Sequence, residues 1–381
     1  MKIKDICTSV TDGSHNPPLG IEKSEYMMLS SKNIFDDEIT FDEPRFLTER
    51  DFEKEHRRTK IAVGDVLLTI VGTVGRIAVV DEDMPTFALQ RSVAVLHPKN
   101  DVCLPRFLMY ALRGKRTYIE NRAKGVAQKG IYLKEVSDID IHIPDISNQE
   151  IIINKLDKVN AIIKLRQKEL LVLDNFIKAR FVEMFGDPIL NPNGYLKEKI
   201  EKHIDLLTGY PFKSEQYIEE GINICGGLII MPQKIKWNEC VHWSSVEGFE
   251  DYLLNENDIV MALDRPWISE GFKMAKVDAE HLPALLIQRT ARIRAIDMNQ
   301  DYLYYCFING GFDKHSNVTG SLVPHISAKD ISSFEIMIPP TELQKQFADF
   351  VHQVDKSKFA VQKTLEQTQT LFDSLMQKYF G

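Results

Sequence analysis

At 381 residues, with 44% hydrophobic and 27% charged side chains, the chain has the length and composition of two ordinary folded domains, which excludes a disordered or fibrous polymer. A formal charge of −8 excludes nucleic-acid binding by net charge alone, so any phosphate contact has to come from local clusters. The five cysteines (Cys7, Cys103, Cys225, Cys240, Cys306) form no CxxC pair, which argues against a disulfide framework and a structural zinc knuckle. Apolar runs such as 66-VLLTIVGTVG-75 are too short to cross a bilayer, and the N-terminus has no secretory-type segment, so no membrane association and a cytoplasmic location are expected.

In chain order, 12-DGSHNPP-18 comes first and has loop composition. Its Asn16-Pro17-Pro18-Leu19 is similar to the Asn-Pro-Pro-aromatic tetrad of amino methyltransferases. Leucine replaces the stacking aromatic, however, and residue 16 leaves no room upstream for a methyl-donor fold, so the segment is read as a loop. Short strands follow at Val66 to Ile70, Arg76 to Val80 and Ser92 to Leu96, rich in Val and Ile and separated by Gly, Asp and Pro. Pro105 to Tyr118 has helical spacing, and Ile139, Ile141 and Ile143 alternate as a strand that stops at Pro144. The absence of regular strand-helix alternation favours an α+β module of about 145 residues with a mixed or antiparallel sheet over a Rossmann arrangement.

Beyond Pro144 the apolar period changes to alternate steps of four and three. Ile152, Leu156, Val159, Ile163, Arg166, Leu170, Leu173, Ile177, Arg180 and Met184 form one seam, on a proline-free helix of about 36 residues and roughly 50 Å.

The chain then repeats itself. The segment 134-KEVSDIDIHIP-144 matches 329-KDISSFEIMIP-339 at an offset of 195, and the same register aligns Gln149 with Gln344 and Phe185-Gly186 with Phe380-Gly381. Upstream, Gln90-Arg91-Ser92 aligns with Gln288-Arg289-Thr290 at an offset of 198. The second seam is Phe347, Val351, Val354, Lys358, Val361, Leu365, Thr368, Phe372, Leu375 and Tyr379. Two such helices can cover each other's seams as an antiparallel coiled coil, with Leu156, Val159, Ile163, Leu170, Leu173 and Ile177 facing Val354, Val361, Leu365 and Phe372. Packing of each helix on its own module, or dimerisation, would cover them too. The expected organisation is module 1–147, helix 148–186, module 187–341 and helix 342–381.

No spacing in the sequence sets a base beside a nucleophile or assembles a His-Glu-x-x-His site, so neither catalytic residues nor metal ligands are assigned. Between Arg106 and Lys134 stand eight basic residues against the single acid Glu120, a candidate phosphate-binding patch. Modules that read different sequences have to differ where they read them. Divergent loops are therefore better reader candidates than residues shared by both copies, and Gln90-Arg91 and Gln288-Arg289 are equally consistent with scaffold. The candidate contacts are His15, Asn16, Arg91, Arg116, Arg122, Lys124, Gln128 and Lys129 in the first module. Lys213, Arg289, Arg292, Lys314 and His315 are those of the second.

The order of 64-GDVLLTIVGTVG-75, 125-GVAQKG-130, 141-IHIPDISNQ-149 with 336-IMIPPTELQ-344, 261-MALDRPWISEG-271 and two long helices resembles the specificity subunits of type I restriction-modification systems, over essentially the whole chain. The resemblance implies two target recognition domains that bind the halves of a bipartite, asymmetric site in double-stranded DNA, with the helices as the ruler between them. It also implies partners: methylation subunits, two of them by the pattern of the family, and restriction subunits. S-adenosylmethionine, ATP and Mg2+ would belong to those partners, with none bound by this chain. Two other readings compete: a dimerisation scaffold without a DNA role, and the recognition part of a type IIG methyltransferase-nuclease.

Overall fold

A computed structural model describes residues 1–125, 129–316 and 324–381. The chain forms two compact units, 1–167 with 363–381, and 168–362. Their boundaries cut through the long helices, so each unit holds one module and part of both helices.

In the first unit four antiparallel strands run in the order Cys7–Asp12, Val93–Pro98, Val66–Thr69, Ile77–Val79. Val66–Thr69 is buried on both faces, which explains its unbroken apolar run. Val66 and Leu68 join Ala94 and Leu96 beneath the helix Pro105–Gly114, while Leu67 faces Val93, Val95, Phe87 and Leu89. Phe87 and Leu89 belong to a second sheet, in which Phe87–Leu89 lies parallel to Met27–Leu29 and Arg45–Phe46 closes the edge. The helix predicted to reach Tyr118 breaks at Lys115, and a new one begins at Arg116. Ile139 and Ile141 are buried as alternation requires, but no ladder forms there. Met1 and Ile141 exchange backbone hydrogen bonds instead.

The second unit repeats the plan. Ile204–Thr208, Thr290–Ala295, Ile259–Ala262 and Met274–Lys276 form the antiparallel sheet, and Val241–Trp243, Ile222–Cys225 and Ala284–Leu286 form the smaller one with the same parallel pair. In both units a glycine lets two strands touch: a Cβ on Gly13 would lie 2.2 Å from the Leu89 carbonyl oxygen, and one on Gly209 2.1 Å from that of Ile287. The ladder also corrects the predicted alignment of Gln90 with Gln288. Gln90 bridges to Ser14 as Ile287 does to Tyr210, so Arg91 corresponds to Gln288 and Arg289 to Ser92.

The central helix, Ile146–Phe185, and the C-terminal helix, Thr341–Phe380, are 40 residues each, starting and ending within two residues of the expected bounds. All twenty seam positions are buried or half-buried. Within the first unit Leu156, Val159 and Ile163 meet Phe372, Met376 and Phe380; within the second, Ile177, Phe181 and Phe185 meet Phe347, Val351 and Val354. Early central helix thus lies beside late C-terminal helix, and late beside early, which is antiparallel pairing. The modules cover the same seams, with Phe107 5.4 Å from Phe380 and Tyr302 4.8 Å from Phe185 between ring centroids. Leu173 and Leu365 flank these clusters, Val361 is buried, and Leu170 is half-buried. Gly186, at φ 81, ends the central helix in a left-handed turn that a side chain would resist.

Each helix starts on a buried glutamine clasp. Gln149 accepts from Leu104 N (2.8 Å) and donates to the Val102 and Pro144 carbonyls (2.9 and 2.8 Å). Gln344 accepts from Asn299 N (2.9 Å) and donates to the Pro339 carbonyl (2.8 Å). Beside the clasps the ion pairs reverse sign. Arg106 binds Asp157 at 2.7 Å and Asp37 at 3.0 Å, whereas the equivalent positions hold Asp301 and His352 at 2.9 Å, with Lys276 2.6 Å from Asp301.

The clasp and a neighbouring histidine can both be tested in solution. Gln149→Leu strands three buried backbone groups at about 1–3 kcal/mol each before water compensates, so the first unit should lose about 2–4 kcal/mol in chemical denaturation. The histidine governs a pH dependence. The hydrogen bond that His97 donates to Asp65, 2.7 Å away, raises the His97 pKa above the ordinary 6.5 despite burial, whereas in the second unit Arg294 occupies this place beside Asp258. The protonated pair contributes its full stabilisation below pH ~6.5 and loses it as pH rises through the raised folded value. Melting of the first unit should therefore fall from pH 6 into the alkaline range, and His97→Gln should flatten that slope.

Candidate nucleic-acid interface

In the first module a cleft of about 720 Å³ is lined by Asp12, His15, Arg58, Arg91, Lys124, Tyr132 and Lys134 over the apolar floor of Ile70, Val71 and Ile131. The strand Cys7–Asp12 delivers Asp12, which His15 approaches at 2.7 Å and Arg58 at 3.1 Å. Arg58 comes from the helix Glu49–Thr59, where Thr48 caps the start by accepting from Asp51 N. Lys124 and Gly130 exchange backbone hydrogen bonds of 2.8 and 2.9 Å, and Gly72 N donates to the Lys129 carbonyl, which ties the ends of the 125-GVAQKG-130 segment to each other and the later end to the turn after Val66–Thr69. Tyr132 stands 71% exposed at the rim.

The structure separates the predicted contacts. His15, Arg91 and Lys124 share the cleft; Asn16, Arg122 and Lys129 are exposed, with Arg122 stacked 4.6 Å over the Tyr118 ring. Gln128 lies outside the described residues. Arg116 is half-buried, and its guanidinium binds Asp36 and the Gly75 carbonyl, bracing the loop after Val66–Thr69. Arg106 and Arg113 are likewise engaged, the latter over the Phe372 ring. Arg58 and Tyr132 were missed because their only signal is position: each is an ordinary residue of its segment until the fold brings it to the cleft.

In the second module a cavity of about 470 Å³ includes Asp264 and Gln288, the counterparts of Val71 and Arg91, but is otherwise lined from the smaller sheet and its loops, among them Ile224, Ile229, Cys240 and Val241. Asp264 and His325 form the same backbone bridge as Val71 and Gly130, and add to it a side-chain contact of 2.8 Å. Arg289 reaches Asp264 at 2.6 Å; burial raises the Asp264 pKa, but Arg289 and His325 outweigh it and hold the carboxyl below the usual range. Arg292 is a correction: on the strand Thr290–Ala295 it is 5% exposed and paired with Asp205. Alternation along the strand turned it inward. Lys213 and Lys314 are exposed outside the cavity, and His315 is held by the Asp330 carbonyl and Ser333 Oγ at 3.1 and 3.2 Å. The overlooked cavity cations are Arg265 and Lys273.

Two modules with one scaffold and unlike clefts define a class of tandem recognition proteins. The chain belongs to the family of type I restriction modification DNA specificity domains, whose model matches residues 1–175 and again 209–368. Among its relatives, the type I restriction enzyme EcoAI specificity subunit of Escherichia coli is 32% identical over 195 residues, which is 48% of this chain and 32% of that one. The match thus spans about a third of that relative's length. The MjaVIII specificity subunit of Methanocaldococcus jannaschii is 23% identical over 307 residues, covering 76% of this chain and 72% of its own. In fold, the S subunit of a type I system from M. genitalium matches with a TM-score of 0.55 at 13% identity, covering 100% of this chain and 95% of that one. Among the described residues no helix is long and apolar enough to cross a membrane.

The division between scaffold and surface arginines is testable. Arg292→Ala removes a long side chain that is 5% exposed and leaves its space on the sheet unfilled, while the half-exposed Asp205 is solvated, so it should lower the stability of the second unit by about 2 kcal/mol through lost packing. Arg91→Ala should stay within about 0.5 kcal/mol of the parent in the same denaturation experiment.

Proposed function

We propose that the chain is the DNA-recognition subunit of a type I restriction-modification complex, each module reading one half of a bipartite, asymmetric site. The observation that carries this reading is the pairing of a duplicated scaffold with divergent clefts. The sheets, clasps and helices match between units, while Tyr132, Arg58 and Lys124 line the cleft of one and Asp264, Arg265 and Lys273 the cavity of the other. Identical half-sites would need no such difference. Arginine and lysine at the clefts supply phosphate contacts, and the mixed polar and aromatic side chains supply base contacts.

In this reading methylation and restriction subunits carry the chemistry, together with S-adenosylmethionine, ATP and Mg2+. The central helix offers them apolar surface: Ile162 and Leu165 in the first unit, and Leu171, Val172 and Phe176 in the second, are all exposed.

Mapping methylated adenines in cells with and without the subunit is the decisive experiment. The expected result is one asymmetric, two-part motif that vanishes with the subunit; an unchanged methylation pattern overturns the proposal. Neutralising Arg58, Arg91 and Lys124 together should weaken retention of duplex. The salt dependence of log K should also become shallower, by about 0.9 for every phosphate left without its cation, as a salt titration would measure.

A further inference from the structure

The cavity of the second module holds an ammonium that the fold does not satisfy. Lys273 is 7% exposed, yet its one described hydrogen-bond partner is the Gly227 carbonyl, although an ammonium has three donors. Burial, and then the nearby Arg265, lower its pKa against the opposing pull of Asp264. The two carboxylates that line the cavity are engaged: Asp264 by Arg289 and His325, and Glu239 by Lys236 at 3.0 Å. Among the described residues neither Lys273 nor Arg265 has a carboxylate partner, so the cavity is short of negative charge.

Backbone conformation gives an independent sign. Arg265 and Arg289, both lining this cavity, have φ values of 46° and 62°, in the left-handed region that disfavours side chains. Such strain clusters at binding sites, where the surrounding fold holds it in place. The lining also holds apolar and aromatic side chains: Tyr217, Ile224, Ile229 and Ile287. Gln288, exposed at this cavity, carries an amide able to donate to and accept from one base edge. With cationic and apolar groups in one lining, and a volume inside the range of about 300–1,000 Å³ typical of small-ligand sites, the cavity suits an anion joined to a flat ring.

We propose that this cavity takes a single nucleotide unit, its phosphate against Lys273 and Arg265 and its base against the Ile229–Ile287 wall, with Gln288 reading the base edge. The unit is supplied either by a strand of bound DNA, from which one nucleotide turns out of the stack, or by free nucleotide. Only the first source rests on the DNA-recognition reading.

Cys240 provides the probe. It lines the cavity, and the other four cysteines are buried, so a maleimide reports on this site in the intact chain. Burial raises its thiol pKa, and labelling is therefore run at mildly alkaline pH. At least one of the four deoxynucleoside 5′-monophosphates at about 10 mM, above a millimolar dissociation constant, is expected to slow labelling about fivefold. The unphosphorylated nucleosides and inorganic phosphate should not. Lys273→Met and Arg265→Ala should abolish the protection.

Equal protection by duplex carrying the mapped motif assigns the source to DNA; protection by mononucleotides alone assigns it to free nucleotide. Either result supports the cavity assignment. Lack of protection by all four mononucleotides and the duplex overturns it, as does protection that persists in both variants or that phosphate alone reproduces. If the same duplex is still retained on filters in a salt-dependent way, the cavity proposal fails while the DNA-recognition reading stands.

Discussion

Everything in this fold depends on one constraint: a 40-residue helix with an apolar seam is unstable until something covers the seam. Here each seam is covered twice over, by the other helix and by a module. Phe372 packs against Tyr110 of the first module as well as facing the central helix, and Phe347 lies against both Phe185 and Tyr305. The modules are therefore part of the helix pair's core. This is why the compact units cut across the helices instead of falling at their ends.

The long-period features were legible in the sequence because they are periodic and duplicated. The seams, the Ile-Pro-to-Gln junctions and the core strand Val66–Thr69 all follow from spacing that a single chain displays. What was not legible depends on register. One residue of slip in the Gln-Arg alignment exchanged Arg91's true counterpart, Gln288, for Arg289, because a short shared motif outweighed a ladder invisible in sequence. Arg292 looked like a surface cation and proved to be inward on its strand. In the cluster Arg106 to Lys134, charge density overstated the exposed surface, since Arg106, Arg113 and Arg116 hold the fold together.

The two clefts show how one scaffold accommodates different tasks. Both modules close with the same backbone bridge, but where the first has Val71 and Gly130 the second has a carboxylate and an imidazole, which contact each other and, through Asp264, Arg289. The surrounding sheets are unaffected, because the side chains that differ stand at strand ends and beyond. Recognition can thus diverge without disturbing Leu67 or Val260, which lie one layer below.

The reversed ion pairs have a consequence of their own. Arg106 meets an acidic residue on its helix, and Asp301 meets a basic one. The two helix segments are alike in shape, and these side chains distinguish them: Arg106 placed against His352 would lose one of its carboxylate partners, and Asp301 against Asp157 would set two carboxylates together beside a glutamine clasp. Each module carries a key for its own stretch of helix. A recognition module transplanted between relatives would keep its footing only if residue 157 or 352 travelled with it, so the unit of exchange is a module together with the first turns of the helix that follows it.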